Sequence, residues 1–521
     1  MSGEAPARPR ASRIPLVAAL LAGSVLLSRV LGIAREAVLA SSVGAGAEMD
    51  AYRAAFQVPD ILNHLLAGGA FSVALIPFYT RAREQRGEAA AQKLLATVMG
   101  SMTAVAVAAS AGLWLFAEPL VALQFPRFAP EQRELTVSLT RIVLPAQIFF
   151  VAGGIVRAML MAHDRFTTQA LAPLVYNLGI IAGGLGLGAH LGPAGFAWGA
   201  LAGAVVGSWL LPQLEARRAG LRTGFRFAPW ERDFLRYLWL AAPLLLGLSL
   251  LTVDEWYDRW FGQLAGEGAI AQLGYARIVM LVPVAMVGQA VATAALPAFS
   301  QLWSQGRREE LDRAVLTTLR ASLGLAVLSA AAAFALAEPA VALLYERGSF
   351  SSADTARVAS LLAVFAFAVP AWVGLQVTGR AFYARQDMWR PMLLGTAVAL
   401  IAVPIYLALA RRLGAEGIAA AGVLAMSGNA LLLLGMLRRV HGGPALGPLL
   451  GTLARALVLA GLCGTAAVVT AGAWASPLGR LAAGATAFAI VAIPGIWLLG
   501  DEAMREALTR LARRLRGIRD D

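Results

Sequence analysis

Long hydrophobic segments, separated by short polar stretches, follow one another along nearly the whole chain. A helix needs about 20 apolar residues to cross a bilayer core, and fourteen segments of roughly this kind can be placed on the sequence. The pattern therefore predicts an all-α polytopic membrane protein. The predicted spans are residues 14–41, 50–80, 94–117, 137–161, 168–190, 194–214, 235–259, 268–303, 314–337, 355–383, 390–410, 415–437, 449–472 and 479–500.

The pattern repeats itself with an offset of about 220–225 residues. Gly192 matches Gly414 ahead of a basic loop, and Pro145 matches Pro370 inside an apolar segment. Such a repeat predicts two six-helix lobes of the same orientation, related by an axis along the membrane normal, with the substrate site between them. The predicted divisions are an N-terminal lobe (1–220), a C-terminal lobe (221–442), a C-terminal helix pair (443–500) and a basic cytoplasmic tail (501–521).

Charge is scarce and unevenly placed. Charged residues make up 14% of the chain and hydrophobic residues 59%, whereas soluble domains carry about 25% charged residues. The net charge of +13 comes largely from arginines in the loops after even-numbered spans, which predicts that both termini are cytoplasmic. The charge therefore sets topology, and we expect no nucleic-acid partner.

Several charges lie inside the predicted spans, where lipid should exclude them. The first span carries Arg29, Arg35 and Glu36, with Arg29 and Glu36 on one helical face. A charge at the bilayer centre costs a few kcal/mol or more, so it normally faces a wet cavity or a partner. Arg35 and Glu36 can also neutralise each other. The two arginines predict a cavity that receives an anion.

The second span carries a polar stripe. Arg53, Gln57, Asp60 and His64 have the spacing of one helical face, and Asp50 precedes them. We expect the charged members of the stripe, with Asp50, to line the substrate site. The alternative for Asp50 and Arg53 is a place near the membrane surface, because both follow a loop closely.

The seventh and eighth spans carry a second group of charges. Glu255 and Arg259 have the spacing of a helical ion pair, and Asp258 beside them is a candidate cation ligand or a solvated helix end. Arg277 in span eight matches the region of Arg53 in the repeat. It is predicted to reach the substrate cavity, with a rim position as the alternative.

Enzyme signatures are absent from the sequence. Four histidines are scattered without metal-site spacing, and there is no Walker-type phosphate-binding loop. A single cysteine, Cys463, provides neither a disulfide framework nor a thiolate cluster. The sequence predicts no catalytic residues, no resident metal and no cofactor, hence a transporter without catalytic chemistry.

One stretch of the first span has a specific pattern. Residues 27–36 read LSRVLGIARE, and they are followed by Asp50-Ala-Tyr52, Pro59 and, in span eight, Tyr275-Ala-Arg277. These motifs resemble the MurJ (MviN) lipid II flippase family, within the MATE-like exporter superfamily, over nearly the whole chain. The resemblance implies fourteen spans, a cationic central cavity between two lobes, and a groove for the lipid tail at spans thirteen and fourteen.

The resemblance also assigns residues. Arg29, Arg35 and Asp50 stand at the family's charged positions, and Glu36 stands where aspartate is usual. Around the positions of Asn63, His64 and Gly68 the family often has a basic pair and a glutamate, which this chain lacks. The family's usual span-eight motif is Tyr-Ala-Asp-Arg, and this chain has Tyr275-Ala-Arg277-Ile278 instead.

The implied activity is transport of a polyprenyl-diphosphate-linked peptidoglycan precursor, lipid II, across the bacterial inner membrane. Arginine forks match phosphate oxygens, so a lipid diphosphate fits the charges. The remaining alternatives are a flippase for another polyprenyl-linked oligosaccharide and a cation-coupled drug exporter of the MATE type. Membrane lipids and cell-wall synthesis proteins are the other expected partners, and the expected state is a monomer.

Overall fold

The computed structural model describes residues 14–66, 70–246 and 250–515. It is 86% helix, and the residues it describes contain no strand, which confirms the predicted all-α class. Nine helices in the described residues are long and apolar enough to span a membrane, and one bent pair would be a tenth. The count of fourteen spans stays a prediction. Gly68, residues 1–13 and residues 516–521 of the basic tail lie outside the described residues.

The chain divides into two compact units, which are described separately. Unit 1 comprises Met1–Val43 and Ala51–Leu246, and unit 2 comprises Gly44–Asp50 and Gly247–Asp521. The helices that begin in unit 1 are α1 Ile14–Val43, α3 Gln57–Leu66, α4 Ala70–Arg86, α5 Glu88–Leu115, α6 Ala117–Gln124, α7 Pro130–Val143, α8 Ala146–Ala162, α9 Thr167–Leu191, α10 Pro193–Gly203, α11 Leu211–Arg218 and α12 Arg232–Leu246. Helix α2, Ala47–Ala55, contains the unit boundary.

Unit 2 contains the remaining helices and the C-terminal elements. They are α13 Leu250–Gly262, α14 Ala269–Pro283, α15 Ala290–Ser304, α16 Arg308–Ala335, α17 Ala337–Tyr345, α18 Ser352–Ala366, α19 Val369–Ala384, α20 Trp389–His441, α21 Leu446–Gly472, α22 Pro477–Leu498 and α23 Glu502–Leu515. Two π-helical turns, Ala204–Leu210 and Val284–Gln289, follow α10 and α14.

Several landmarks of the sequence repeat adopt the same local backbone in both units. Gly192 ends α9 at φ 54° and ψ −134°, and Gly414 interrupts α20 at φ 62° and ψ −134°. Asp164 and Gln386 are the two non-glycine residues with positive φ in the described chain. A positive φ is strained for residues other than glycine. Its occurrence at Asp164 and again 222 positions later at Gln386 therefore supports the internal repeat. The predicted division of the chain at residue 220 remains a prediction.

The predicted second span, 50–80, is not one continuous helix. The chain breaks at Phe56 between α2 and α3, three residues before Pro59. Proline has no N–H and its ring clashes with the carbonyl four residues earlier, which is that of Ala55. The Thr140 hydroxyl donates to the Thr136 carbonyl at 2.7 Å and also lies within hydrogen-bond distance of this carbonyl, at 3.3 Å. The break therefore follows from the sequence, and the freed acceptor finds a partner.

The C-terminal elements pack against α16. Met504 of α23 is fully buried beside Gly324, and Asp501 forms an ion pair with Arg320 at 3.0 Å. Asp501 also accepts a hydrogen bond from the Met504 N–H, so it caps the start of α23. The first part of the predicted tail, 502–515, is therefore a helix whose start is fixed to the unit.

Candidate functional site

A buried ion cluster in unit 1 joins residues of the first two predicted spans. Glu36 on α1 is 3% exposed, and its carboxylate lies between two guanidinium groups. Arg35 contacts one oxygen at 2.5 Å and Arg53 contacts the other at 2.8 Å. Two positive groups thus share a single carboxylate in this cluster.

Helix α9 supplies a third side of the cluster. Arg35 donates a hydrogen bond to Asn177 Oδ1 at 3.0 Å, and the Asn177 amide donates to the Pro173 carbonyl at 3.1 Å. The guanidinium is therefore held in a defined orientation. Its side chain keeps 27% of its surface exposed, against 15% for Arg53, so a ligand can still reach it.

Two residues of the predicted stripe, Asp60 and His64, lie on α3, beyond the break at Phe56. Both are half-buried. The neighbouring Asn63 donates a hydrogen bond to Gln147 of α8 at 2.9 Å. Because α2 and α3 are separate helices, the regular spacing does not place Asp60 and His64 on one continuous face with Arg53.

Asp50 lies in unit 2 and is 1% exposed. Its two carboxylate oxygens accept hydrogen bonds from the backbone N–H groups of Gly268 and Ala271, both at 2.7 Å. These N–H groups belong to the first turn of α14, which has no hydrogen-bond acceptors for them within the helix. A carboxylate there accepts their hydrogen bonds and interacts favourably with the helix dipole. Asp50 therefore stabilises a helix start, and its predicted role in substrate binding stays a prediction.

Arg277 lies in a second buried ion cluster, within unit 2. It is 4% exposed, and its guanidinium contacts the carboxylates of Asp254 and Asp258 on α13. Tyr406 of α20 donates a hydrogen bond to Asp254 at 2.5 Å. Both carboxylates hold Arg277 inside the unit in this conformation. Sequence reasoning linked Glu255 correctly to Arg259, at 2.5 Å, but missed Asp254 and Tyr406.

Arg29, the other predicted arginine of the first span, lies on α1 in unit 1. Its side chain is exposed on α1, six residues before Arg35, which is about 9 Å along the helix. Its expected role in binding substrate stays a prediction.

An apolar pocket of about 530 Å³ lies elsewhere in unit 2. Its walls come from α16, α19 and α21, with Phe334, Phe367 and Leu457 among the lining side chains and Thr465 as a polar one. Such a surface suits a hydrocarbon chain and offers almost nothing to a charged group.

Comparison with known proteins places most of the chain in one family. A family model described as "Lipid II flippase MurJ" matches residues 39–484. The chain is 30% identical over 474 residues to a probable lipid II flippase MurJ of Rhizobium meliloti (strain 1021), covering 89% of this chain and 88% of the relative. It is 28% identical over 498 residues to the lipid II flippase MurJ of Burkholderia cenocepacia, covering 92% and 96%.

Solved structures agree on the fold. A lipid II flippase MurJ in an inward closed conformation superposes with a TM-score of 0.78 at 21% identity, over 92% of this chain and 99% of that one. An inward-facing MATE family multidrug transporter gives a TM-score of 0.67 at 16% identity, over 80% and 94%. The fold is thus that of MurJ and MATE-type transporters.

Proposed function

The chain belongs to the MurJ family, and on that premise we propose that it moves lipid II, a polyprenyl-diphosphate-linked precursor, across the bacterial inner membrane by alternating access. Its substrate is then a lipid with a diphosphate head and a long hydrocarbon tail. No covalent chemistry is needed, because the barrier to crossing is the hydration of the charged head group.

The observation that carries this proposal is the cluster of Arg35, Glu36 and Arg53. Two guanidinium groups beside one carboxylate favour the approach of an anion, and guanidinium forks match phosphate oxygens in pairs. An exporter of cationic drugs would be expected to have more carboxylates than guanidinium groups in this cluster. The apolar pocket beside α21 supports a cargo with a hydrocarbon tail.

The proposal is tested by native mass spectrometry of the gently extracted protein. We expect a co-purified lipid whose fragmentation releases a diphosphate and a glycan. The same spectra separate the two flippase hypotheses, because the mass of the glycan and peptide identifies lipid II. Binding of neutral or cationic lipids alone would contradict the proposal.

Both termini are proposed to be cytoplasmic. The arginine-rich loops after even-numbered spans support this orientation, since positive loops stay inside.

Labelling of single cysteines tests the topology after Cys463→Ala. Gly46→Cys at an exposed position of the first loop should react with an impermeant thiol reagent added outside the cell, whereas Glu84→Cys should react only after permeabilisation. The reverse pattern of labelling would show that the orientation is inverted. Gly192 is unsuitable for this test, because its φ of 54° would strain a cysteine.

A further inference from the structure

The two buried ion clusters have opposite proportions of charge. In unit 1, Arg35 and Arg53 share Glu36; in unit 2, Asp254 and Asp258 share Arg277. Glu36 and Asp258 are 222 positions apart, which is the offset of the repeat. The first cluster has one more positive than negative group. The second, with both carboxylates ionised, has one more negative than positive group.

The hydrogen bonds of the second cluster differ between its four carboxylate oxygens. Asp254 uses one oxygen for the Tyr406 hydroxyl and the other for Arg277. Asp258 Oδ2 accepts a hydrogen bond from Arg277 Nε at 2.6 Å and lies 2.5 Å from Nη2, which is an ion-pair contact without hydrogen-bond geometry. Asp258 Oδ1 is buried and accepts no hydrogen bond from the residues that the structure describes.

Among the described residues, Arg277 is the cation that contacts Asp258, and the neighbouring Arg259 is paired with Glu255. Helices α14 and α20 pack on α13, and the ionisable groups that they direct at the cluster are Arg277 and Tyr406. On α13 itself, Glu255 adds a further negative charge nearby, although it is more than half exposed and paired with Arg259. Phe365 of α18 covers the Arg277 guanidinium at 4.9 Å. An excess negative charge in such a place is strongly disfavoured.

We propose that Asp258 Oδ1 is a proton-binding site and that its occupancy makes transport depend on pH. The second part rests on the proposed function. A proton taken from water converts the Asp258 carboxylate to a carboxylic acid, which brings the cluster to neutrality. A metal ion fits less well, because it needs several oxygen ligands and only one carboxylate oxygen here has no partner. A proton requires one oxygen.

Infrared difference spectroscopy of the purified full-length protein tests proton binding without any substrate. The wild-type protein should show the carbonyl stretch of a protonated carboxylic acid at neutral pH, with the usual shift in D₂O. Asp258→Asn should abolish this band. Asp258→Glu should keep a band at a shifted frequency, which covers the case in which the asparagine variant fails to fold. Glu255→Gln, the matched control on the same helix, should leave the band unchanged.

Absence of the band in the wild-type protein, or its persistence in Asp258→Asn, would overturn the proton site.

The link to transport is tested in liposomes with a fluorescent lipid-linked diphosphate and an imposed pH gradient. The wild-type rate should change with the gradient, and the Asp258→Asn rate should lose that dependence. Equal gradient dependence in both would overturn the link. A wild-type protein that moves no lipid would overturn the proposed function, and the infrared result would still decide the proton site.

Discussion

Arg35→Ala should reduce transport of a lipid diphosphate by about tenfold or more while leaving the amount of inserted protein unchanged. The substitution removes the more exposed of the two guanidiniums beside Glu36. The carboxylate then keeps only Arg53, so the cluster loses its excess positive charge and its planar pair of donors for phosphate. Glu36 remains paired, which is why the fold should survive.

Rates in liposomes, compared at equal protein content, measure the effect. Arg35→Lys should restore part of the rate, since an ammonium keeps the charge without the fork. Asn177→Ala should give a smaller loss, because it frees the guanidinium without removing it. Arg217→Ala, which removes an exposed arginine from the same unit, should leave the rate unchanged. Full transport by Arg35→Ala would assign the cluster a structural role only.

The succession of long hydrophobic segments predicted most of the fold, because membrane spans can be recognised by their length and hydrophobicity. The interruptions were harder to place. Span two was predicted as one segment, 50–80, although Pro59 lies within it, and the structure breaks the helix at Phe56. The freed carbonyl of Ala55 lies 3.3 Å from the hydroxyl of Thr140, a residue 85 positions further along the chain. A local pattern cannot reveal so distant a partner.

The same reason limits what the sequence says about the site. The presence of charges inside predicted spans selected Arg35, Glu36 and Arg53, which the structure does bring together. It could not identify Asn177, which is 142 residues away on α9. The internal repeat assigned Arg277 to the substrate cavity through its match with Arg53. A match of positions along the chain does not say which carboxylates a neighbouring helix directs at the arginine. A preceding helix with Asp254 and Asp258 on one face, four positions apart, was the signal that could have indicated the pair.

Arg277→Ala should lower the free energy of unfolding by about 3–5 kcal/mol, the usual cost of removing one partner from a buried ion pair. Asp254 and Asp258 are 2% and 3% exposed, and each would lose its guanidinium contact. Denaturant unfolding in detergent measures the change. Arg313→Ala on α16 is the matched control: its ion pair is exposed, so the loss should be below about 1 kcal/mol.

Neutralising the whole cluster separates loss of charge balance from loss of packing. Arg277→Met combined with Asp254→Asn and Asp258→Asn should recover most of the lost stability, because no buried charge is then left unpaired. If the triple variant is as unstable as Arg277→Ala, packing of the guanidinium against Phe365 is the dominant contribution. If Arg277→Ala itself unfolds within about 1 kcal/mol of the wild-type protein, the carboxylates do not depend on Arg277. The arginine would then be free to serve a ligand, as the sequence alone had indicated.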